Sequence, residues 1–213
     1  MHDGPIARPL RRNFNLRKVE KMEGTIRLAL IYGSTRPGRF CDKVVGWAAG
    51  QVAGNGKFSI DVIDPATPPP QSRHDQGEGE DAGSLQKRIE RADAFIVVTP
   101  EYNHGYPAPL KSLIDSVGAE WQAKPVAFVS YGGISGGLRA VEQLRLVFAE
   151  LHTVTIRDAV CFASAWEQFD CGGQLMEPAR AEKSMATMLE RLHWWATALR
   201  TARNANPYTQ MVS

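Results

Sequence analysis

The amino-acid sequence predicts an α/β protein in which a five-stranded parallel sheet lies between two layers of helices. Short β-rich apolar runs alternate with segments of helical periodicity along the chain, as expected for successive βαβ units. One of these runs, "DAFIVVT", is dominated by apolar residues, which indicates a central strand covered on both faces. The 213 residues suffice for one domain with a substantial core.

The first half of the chain contains two predicted strands and one predicted helix. The first strand is the β-rich run "TIRLALIYG", which ends at Gly33. A helix follows from Cys41, where valine, tryptophan and alanine recur at near-helical spacing. The second strand, "KFSIDVID", alternates apolar and polar side chains from Phe58 onward. Proline, glycine and acidic residues then dominate residues 65–83, which predicts a long surface loop.

The second half of the chain continues this alternation. A short helix, "SLQKRIERA", precedes the central strand, and a helix over residues 108–117 and a fourth strand, "KPVAFVSYG", follow it. Large apolar residues recur at helical spacing in "SGGLRAVEQLRLVFAELH", and "TVTIRDAV" is the predicted fifth strand. The final helix begins near Pro178, a residue suited to a first helical turn, and runs to about Arg203.

We predict one folded domain over residues 25–203, a disordered extension over residues 1–24 and a C-terminal tail over residues 204–213. The N-terminal segment is basic, has no periodic apolar face and lacks the apolar centre of a signal peptide. An organellar transit peptide is the alternative, against which Asp3, Glu20 and Glu23 argue. Met22 stands just before the first strand, so we expect residues 1–21 to be dispensable, either as a loose tail or because translation begins at Met22.

The composition predicts a soluble, cytoplasmic protein without a metal site. A net charge of +2 is too close to neutral to indicate binding to nucleic acid or to an acidic membrane surface. No apolar run approaches the roughly 18 to 20 residues that span a bilayer. The cysteines, Cys41, Cys161 and Cys171, form no CxxC pair and leave one unpaired in any disulfide scheme, which favours a reducing cytosol.

Three loops of unusual composition follow the first, third and fourth strands, at the strand ends where open α/β sheets bind ligands. The first, "GSTRPGRF" over residues 33–40, precedes a helix, so its amides and the positive helix end can receive an anion. Ser34 and Thr35 add hydroxyl groups, while Arg36 and Arg39 can bind phosphate oxygens. The loop lacks the Walker A and GxGxxG patterns, so a terminal monophosphate fits better than a dinucleotide. The alternative is a plain turn with exposed arginines.

The second loop begins "TPEYNHGYPAPL", and its prolines restrict the backbone before any ligand binds. A stiff turn of this kind can present Tyr102 or Tyr106 and several backbone amides to a flat, hydrogen-bonding ring. The alternative is that both tyrosines are ordinary half-buried residues and that His104 is a surface histidine.

The third loop, "SYGGISGG" over residues 130–137, contains glycines that allow a ligand to approach the main chain closely. It also matches the GxSxG pattern of a hydrolase nucleophile elbow, with Ser135 as the nucleophile. Asp158 or Asp170, followed by His193, would complete the hydrolase order. However, His193 falls within the final predicted helix, and no HGGG-type oxyanion segment follows an earlier strand.

Together, "GSTRPGR", "PEYNHGYPAPLKSLID" and "SYGGISGGLRAVEQLR" resemble the NADPH-dependent FMN reductase family of flavodoxin-like proteins, which includes quinone, azo-dye and chromate reductases. The resemblance covers residues 26–151. It implies a flavodoxin-like three-layer α/β/α sandwich with strand order 2-1-3-4-5, FMN at the strand ends, and a homodimer or a homotetramer.

The resemblance also implies which residues bind the cofactor. The first loop would hold the FMN phosphate, the second would border the isoalloxazine and ribityl chain, and the third would line the pyrimidine edge of the ring. The implied cofactor-binding residues are Ser34, Thr35, Arg36, Arg39, Phe40, Cys41, Pro100, Glu101, Tyr102, Asn103, His104, Ser130, Tyr131, Gly132 and Gly133. Many members carry Ser and Asn where this chain has "RFC", which leaves the phosphate ligands beyond Arg36 open. Cys41 is either a thiol of lowered pKa at a helix start or a small residue in the turn.

The function implied by the resemblance is oxidation of NADPH, with electrons passed through FMN to a small acceptor such as a quinone, free flavin, an azo compound or a metal oxyanion. The chemistry would be that of the flavin, so no catalytic side chain is predicted. The alternatives are a non-enzymatic flavodoxin-like electron carrier and the serine hydrolase described above. Electron carriers of this fold are often strongly acidic, so a net charge of +2 favours the enzyme.

We expect a dimer to form through helices that flank the flavin edge. Val141, Leu144, Phe148 and the adjacent Trp194 and Trp195 are more large apolar side chains than one helix layer obviously buries. Adjacent residues point about 100° apart on a helix of 3.6 residues per turn, so one tryptophan is expected outside the core. The alternative is that both tryptophans are half-buried within one subunit.

Overall fold

The structure is a computed structural model that describes residues 24–67 and 84–208. Parallel strands form one sheet in the order β2-β1-β3-β4-β5, and helices cover both of its faces. The strands are β1 (Ile26–Tyr32), β2 (Phe58–Ile63), β3 (Ala94–Pro100), β4 (Pro125–Gly132) and β5 (Val154–Ala163). The predicted α/β architecture and strand order are therefore confirmed.

Two helix layers enclose the sheet. The helices are α1 (Cys41–Asn55), α2 (Leu85–Arg91), α3 (Ala108–Asp115), α4 (Leu138–Glu150) and α5 (Pro178–Ala205). Side chains of α1 and α5 share one hydrophobic core with one face of the sheet, and side chains of α2, α3 and α4 share a second core with the other face. Short 3-10 turns occur at Ala119–Trp121 and Ala165–Glu167. No helix in the described ranges is long and apolar enough to cross a membrane.

Three of the predicted segments fall wholly or partly outside the described residues. These are the N-terminal extension, of which only residue 24 is described, the loop at residues 65–83, of which residues 65–67 are described, and the tail, of which residues 204–208 are described. Helix α5 continues into that predicted tail and ends at Ala205.

Strand β3 lies at the centre of the sheet, between β1 and β4, and all of its residues are buried. Phe95 and Val97 point into the core shared with α2, α3 and α4, whereas Ile96 and Val98 point into the core shared with α1 and α5. This double burial explains why the strand is apolar without alternation.

The strand register brings the carboxyl ends of β1, β3 and β4 to one edge of the sheet. Tyr32 at the end of β1 pairs with Val98 of β3, and Pro100 at the end of β3 pairs with Tyr131 of β4. The chain leaves β1 toward β2 on one side and leaves β3 toward β4 on the other. The three loops identified in the sequence therefore surround the switch in strand order, where ligands bind in such folds.

Strand β5 extends beyond its predicted end and is irregular near its start. Its register with β4 shifts between Val126 and Phe128. The guanidinium of Arg145 on α4 donates hydrogen bonds to the carbonyls of Ile156 and Arg157, at 2.7 and 3.1 Å. Backbone carbonyls at the irregularity thus receive a hydrogen-bond partner from the helix layer.

The three α4 side chains predicted to contribute to a dimer surface instead belong to the core. Val141, Leu144 and Phe148 are almost completely buried against the sheet. Trp194 and Trp195 on α5 are 63% and 37% exposed, and their rings meet edge to face with centroids 5.2 Å apart. Only the tryptophan pair of the original set is thus available at the surface.

Candidate functional site

A cavity of about 340 Å³ opens at the carboxyl edge of the sheet. Its lining comes from the loops after β1, β3 and β4 and from the segment after β5. The lining residues are Arg36, Pro37, Gly38, Arg39, Phe40, Pro100, Glu101, Tyr102, Tyr131, Gly132, Gly133 and Trp166. The predicted site residues that do not line it are Ser34, Thr35, Cys41, Asn103, His104 and Ser130. The three predicted loops therefore do converge on one cavity.

The loop after β1 starts at a position that only glycine can fill. The Gly33 amide donates to the carbonyl of Val98 at 2.7 Å, which ties the loop to β3. A Cβ atom on Gly33 would lie 2.7 Å from that oxygen and 2.8 Å from Cα of Thr99, closer than real Cβ contacts allow. The glycine therefore lets the loop turn directly against the end of the neighbouring strand.

The end of this loop presents a row of backbone donors. Helix α1 begins at Cys41, with Phe40 as its N-cap and Gly38 in the left-handed region at φ +63°. Within the described ranges, no protein acceptor lies at hydrogen-bond distance from the amides of Gly38, Arg39, Phe40 and Cys41. These donors stand at the positive end of a 15-residue helix, an arrangement that binds phosphate groups.

Arg39 clamps the loop in place. Its Nη1 atom donates to the carbonyl of Ser34 at 2.6 Å and to Asp64 Oδ1 at 2.7 Å, its Nη2 atom donates to Asp64 Oδ2, and its Nε atom donates to Asp42 at 2.9 Å. These hydrogen bonds hold the pKa of Asp64 below its ordinary value and raise the pKa of Arg39. Most donors of this guanidinium are thus directed to protein oxygens.

Arg36 is the arginine of the loop that faces solvent. Its guanidinium stacks on the ring of Tyr102, with Cζ 3.6 Å from the ring centroid. The Tyr102 hydroxyl also shares a hydrogen bond of 2.8 Å with Ser34 Oγ, which joins the first loop to the second. Among the described residues, no carboxylate lies within salt-bridge distance of Arg36. The guanidinium is therefore positioned by the tyrosine and free to pair with an anion.

Two further residues of this loop support it from the core side. The Phe40 ring packs against Tyr131 and Phe169, each with centroids 5.7 Å apart. Cys41 is completely buried, and its thiol points to the carbonyl of Val98 at 3.6 Å. Burial raises the pKa of this thiol, so Cys41 is a small packing residue and not an activated nucleophile.

The loop after β3 contains a tight hairpin turn that the sequence analysis did not recognise. Tyr102 and Gly105 exchange two backbone hydrogen bonds, of 2.9 and 3.0 Å. The two residues between them, Asn103 and His104, have φ values of +50° and +69°. Positive φ at both central positions defines a type I′ turn, in which asparagine is favoured at the first position. The sequence "YNHG" thus fixes the direction of the loop and the position of Tyr102.

Glu101 joins this loop to helix α4. One carboxylate oxygen accepts from the Arg139 amide at 3.1 Å, and the other pairs with Arg139 Nε at 3.1 Å. The Glu101 amide donates to the carbonyl of Tyr131, which fixes the backbone to β4. The His104 ring lies against the Arg139 guanidinium, and Gln143 donates to the His104 carbonyl at 2.8 Å. Glu101 and His104 are therefore engaged in bracing the loop.

The loop after β4 folds back on its own strand. Ser130 Oγ donates to the carbonyl of Gly136 at 2.9 Å. Gly136 and Gly137 have φ values of +60° and +88°, and a Cβ atom on Gly137 would lie 2.7 Å from Cβ of Ser130. This packing leaves the main chain at Gly132 and Gly133 exposed to the cavity. A planar ligand can therefore approach the backbone there directly.

The residues of the hydrolase hypothesis do not come together. Ser135 Oγ accepts from the Gly137 amide at 3.4 Å, in the loop at the carboxyl edge of the sheet. The His193 ring packs against Phe58, the first residue of β2, at the opposite edge. Asp158 pairs with Arg191 at 2.6 Å. Gly137 is the N-cap of α4 and the helix has no side-chain cap at that position, so the Ser135 hydroxyl has no capping role either.

The segment after β5 contributes Trp166, which the sequence analysis missed. The residue lies in the 3-10 turn Ala165–Glu167, directly beyond the carboxyl end of the strand, and is 60% exposed. The signal was present in the sequence, because a parallel fifth strand must end at the same edge as β4. Among the described residues, no cluster of histidine, cysteine or acidic side chains could hold a metal ion.

Comparison with known proteins supports a relationship over most of the chain. A family model described as NADPH-dependent FMN reductase matches residues 26–167. The NAD(P)H-dependent FMN reductase C4B3.06c of Schizosaccharomyces pombe is 33% identical over 122 residues, which are 53% of this chain and 61% of that protein. The NAD(P)H:quinone oxidoreductase of Solanum tuberosum is 35% identical over 114 residues, which are 50% of this chain and 58% of that protein. The matches thus span about three fifths of these relatives' length.

Solved structures share the fold at low sequence identity. The flavoenzyme NAD(P)H:(acceptor) oxidoreductase FerB from Paracoccus denitrificans superposes with a TM-score of 0.57 and 21% identity, covering 81% of this chain and 97% of that chain. A flavodoxin from the domain Archaea gives a TM-score of 0.50 and 14% identity, covering 82% and 99%. At such identities the likeness shows the fold, which is flavodoxin-like. The family model matches the sheet and all three loops, so the chain belongs to the NADPH-dependent FMN reductase family.

Proposed function

We propose that this protein is an FMN-dependent oxidoreductase that takes electrons from NADPH and passes them to a small acceptor, such as a quinone, free flavin, an azo compound or a metal oxyanion. The observation that carries the proposal is the row of amides at the start of α1 that have no acceptor in the described part of the chain, next to Arg36 and a cavity of about 340 Å³. The names of two relatives, an NAD(P)H-dependent FMN reductase and an NAD(P)H:quinone oxidoreductase, support the same activity.

The residues present fit the phosphate of FMN. The amides at residues 38–41 and the positive end of α1 would bind phosphate oxygens, and Arg36 would add a charge-assisted hydrogen bond. Arg39 would act indirectly, because its hydrogen bonds to Asp64 and to the Ser34 carbonyl fix the loop. The loop carries one row of amide donors and lacks the GxGxxG pattern, which favours FMN over a dinucleotide flavin.

The rest of the cavity fits a flat ring. Pro100 and Tyr102 form one wall, while the main chain at Gly132 and Gly133 forms another. The volume lies within the roughly 300 to 1,000 Å³ typical of small-molecule sites. Bound FMN would supply hydride transfer from a nicotinamide and subsequent reoxidation by a second substrate. The protein would bind the phosphate, orient the ring and leave one side accessible.

Among the described residues that line the cavity, no side chain is positioned for acid–base catalysis. Glu101, a lining carboxylate, is engaged by the amide and Nε of Arg139. Burial raises the pKa of the lining Tyr131 well above its ordinary value, so this phenol is even less suited than an ordinary tyrosine to act as a base. The proposal therefore assigns no catalytic residue.

Steady-state kinetics test the proposal against the electron-carrier alternative. The FMN-loaded protein should oxidise NADPH rapidly when a quinone such as benzoquinone is added, and the protein stripped of flavin should be inactive until FMN is restored. If the bound flavin is reduced by another flavoenzyme but the protein does not oxidise NADPH, the electron-carrier alternative is favoured. Parallel assays with NADH, free flavin, an azo dye and chromate would identify the preferred donor and acceptor.

We also propose a cytoplasmic homodimer or homotetramer. The exposed Trp194 and Trp195 supply apolar surface for such contacts, and Cys41, Cys161 and Cys171 are free thiols, as in a reducing compartment. Light scattering at micromolar concentration tests the assembly, and a monomer would contradict it. Trp194→Ala should weaken an assembly that uses this surface.

A further inference from the structure

The turn after β5 is held in one conformation by backbone hydrogen bonds. Ser164 adopts φ +46° and ψ +49°, a left-handed conformation that a residue other than glycine adopts only when its surroundings enforce it. Its amide donates to the carbonyl of Gly133 at 2.9 Å, and its carbonyl accepts from the Glu167 amide at 2.9 Å. The turn is therefore tied directly to the loop after β4.

This anchored turn carries an exposed aromatic side chain. Ala165 is completely buried and Phe169 is nearly so, with its ring packed against Phe162 at a centroid distance of 5.1 Å. Trp166 lies between these anchors and is nevertheless 60% exposed. A single exposed apolar side chain is common at protein surfaces, so the contact that Trp166 makes is inferred from its position and not from its exposure.

The position of the indole indicates what that contact is. Trp166 lines the same cavity as Gly132 and Gly133. Its Cη2 atom would lie 3.7 Å from a Cβ atom built on Gly133, which is an ordinary van der Waals distance. The indole thus stands beside backbone that carries no side chain, and a planar ligand lying on that backbone would contact the indole as well.

We propose that Trp166 is a ring-binding residue, whose indole packs against the isoalloxazine of a flavin held over Gly132 and Gly133. The inference rests on the proposed function, because it takes the ligand of the cavity to be a flavin. Aromatic contact of this kind needs no particular hydrogen bond, since any flat π-system offers a face or an edge to the indole. It complements the phosphate contacts of Arg36 at the other end of the same ligand.

Binding titrations with FMN and riboflavin test this assignment, because riboflavin has the same ring and lacks the phosphate. Flavin-free protein is titrated by isothermal calorimetry as wild type, Trp166→Ala, Trp166→Phe and Arg36→Ala. Leu146→Ala is the matched control, since Leu146 is a large apolar side chain that is 75% exposed on α4 and does not line the cavity. Thermal unfolding of each flavin-free variant checks that the fold is retained.

We expect Trp166→Ala to raise the dissociation constants of FMN and riboflavin by the same factor, about tenfold or more, as for the loss of a stacking aromatic side chain. Trp166→Phe should stay within about threefold of wild type because it keeps a ring. Arg36→Ala should weaken the binding of FMN and leave the binding of riboflavin unchanged. Leu146→Ala should change the affinity for neither flavin. If Trp166→Ala binds both flavins as tightly as the wild type, or loses affinity for FMN only, the inference about Trp166 is wrong while the proposed function stands. Failure of the wild type to bind either flavin would overturn the proposed function with it.

Discussion

Arg36 and Arg39 lie in the same loop, yet the structure gives them different roles, and alanine substitutions should separate flavin binding from stability. Arg36 is exposed, stacks on Tyr102 and pairs with no described carboxylate. Arg39 is 11% exposed at its side chain and is bound to Asp64, Asp42 and the Ser34 carbonyl. We therefore expect Arg36→Ala to affect chiefly the affinity for FMN and Arg39→Ala to affect chiefly the folded state.

The expected loss at Arg36 follows from one charge-assisted hydrogen bond to phosphate. Such bonds contribute about 1.5 to 3 kcal/mol, which corresponds to about one to two decades in the FMN dissociation constant. The unfolding free energy should change little, by about 0.5 kcal/mol or less, because the side chain is at the surface. Saturating FMN should restore most of the NADPH oxidation.

The expected loss at Arg39 falls on stability. Removing the guanidinium leaves Asp64, whose side chain is 19% exposed, without its partner, and releases the Ser34 carbonyl. Loss of hydrogen bonds to a charged group predicts a decrease of about 1.5 to 3 kcal/mol in the unfolding free energy. For a domain of this size the melting temperature should fall on the order of 5 °C.

Two measurements on flavin-free protein check this pair of predictions. FMN affinity is obtained by following the quenching of flavin fluorescence, and stability is obtained from thermal unfolding without flavin. If Arg36→Ala binds FMN as tightly as the wild type, Arg36 is not a phosphate ligand. If Arg36→Ala loses as much stability as Arg39→Ala, the two arginines share a structural role and the reasoning fails.

Three further predictions address pH dependence, backbone strain and the rival hydrolase. Burial lowers the pKa of Lys124 to about 7, whereas an unfolded lysine titrates near about 10.4. The unfolded state therefore binds the additional proton between these values, and stability should rise with pH from about 7 to about 10, by at most about 1.4 kcal/mol per pH unit. Urea unfolding at several pH values should show this rise in the wild type, and a rise that persists in Lys124→Met would contradict the assignment. His104→Gly should raise the unfolding free energy by about 1 kcal/mol, because glycine is unstrained at positive φ, and a loss in urea unfolding would mean that the contact with Arg139 outweighs the strain. Ser135→Ala should oxidise NADPH at the wild-type rate, and an activated-ester hydrolysis that disappears in this variant would support the hydrolase.

The fold and the position of the cavity could be predicted from the sequence because local patterns there agree with the tertiary structure. The apolar run of β3 indicates a strand covered on both faces, and β3 is completely buried between β1 and β4. Parallel strands end at one edge, so the loops after β1, β3 and β4 had to meet. The motifs around Arg36, Tyr102 and Gly132 do line one cavity.

Other features could not be predicted because they depend on contacts between distant segments. The role of Arg39 is set by Asp64, which comes within reach only because β2 pairs with β1. The apolar side chains of α4 looked like surplus surface in the sequence, but Phe148 packs against Trp121 and Phe128 in the second core. Trp166 was not predicted because the predicted fifth strand ends at Val160, whereas the strand continues to Ala163 and brings the turn after it to the cavity.

The central claim is that the cavity at the carboxyl edge of the sheet binds FMN, and the most direct measurement is the flavin retained by the purified protein. The protein is incubated with excess FMN or FAD and desalted, and its visible spectrum and the released flavin, identified by chromatography, are recorded. We predict that about one FMN per chain remains bound, with absorption bands near those of free flavin, and that FAD is not retained. A protein that stays colourless after incubation with FMN, or that retains FAD in preference, would contradict the account.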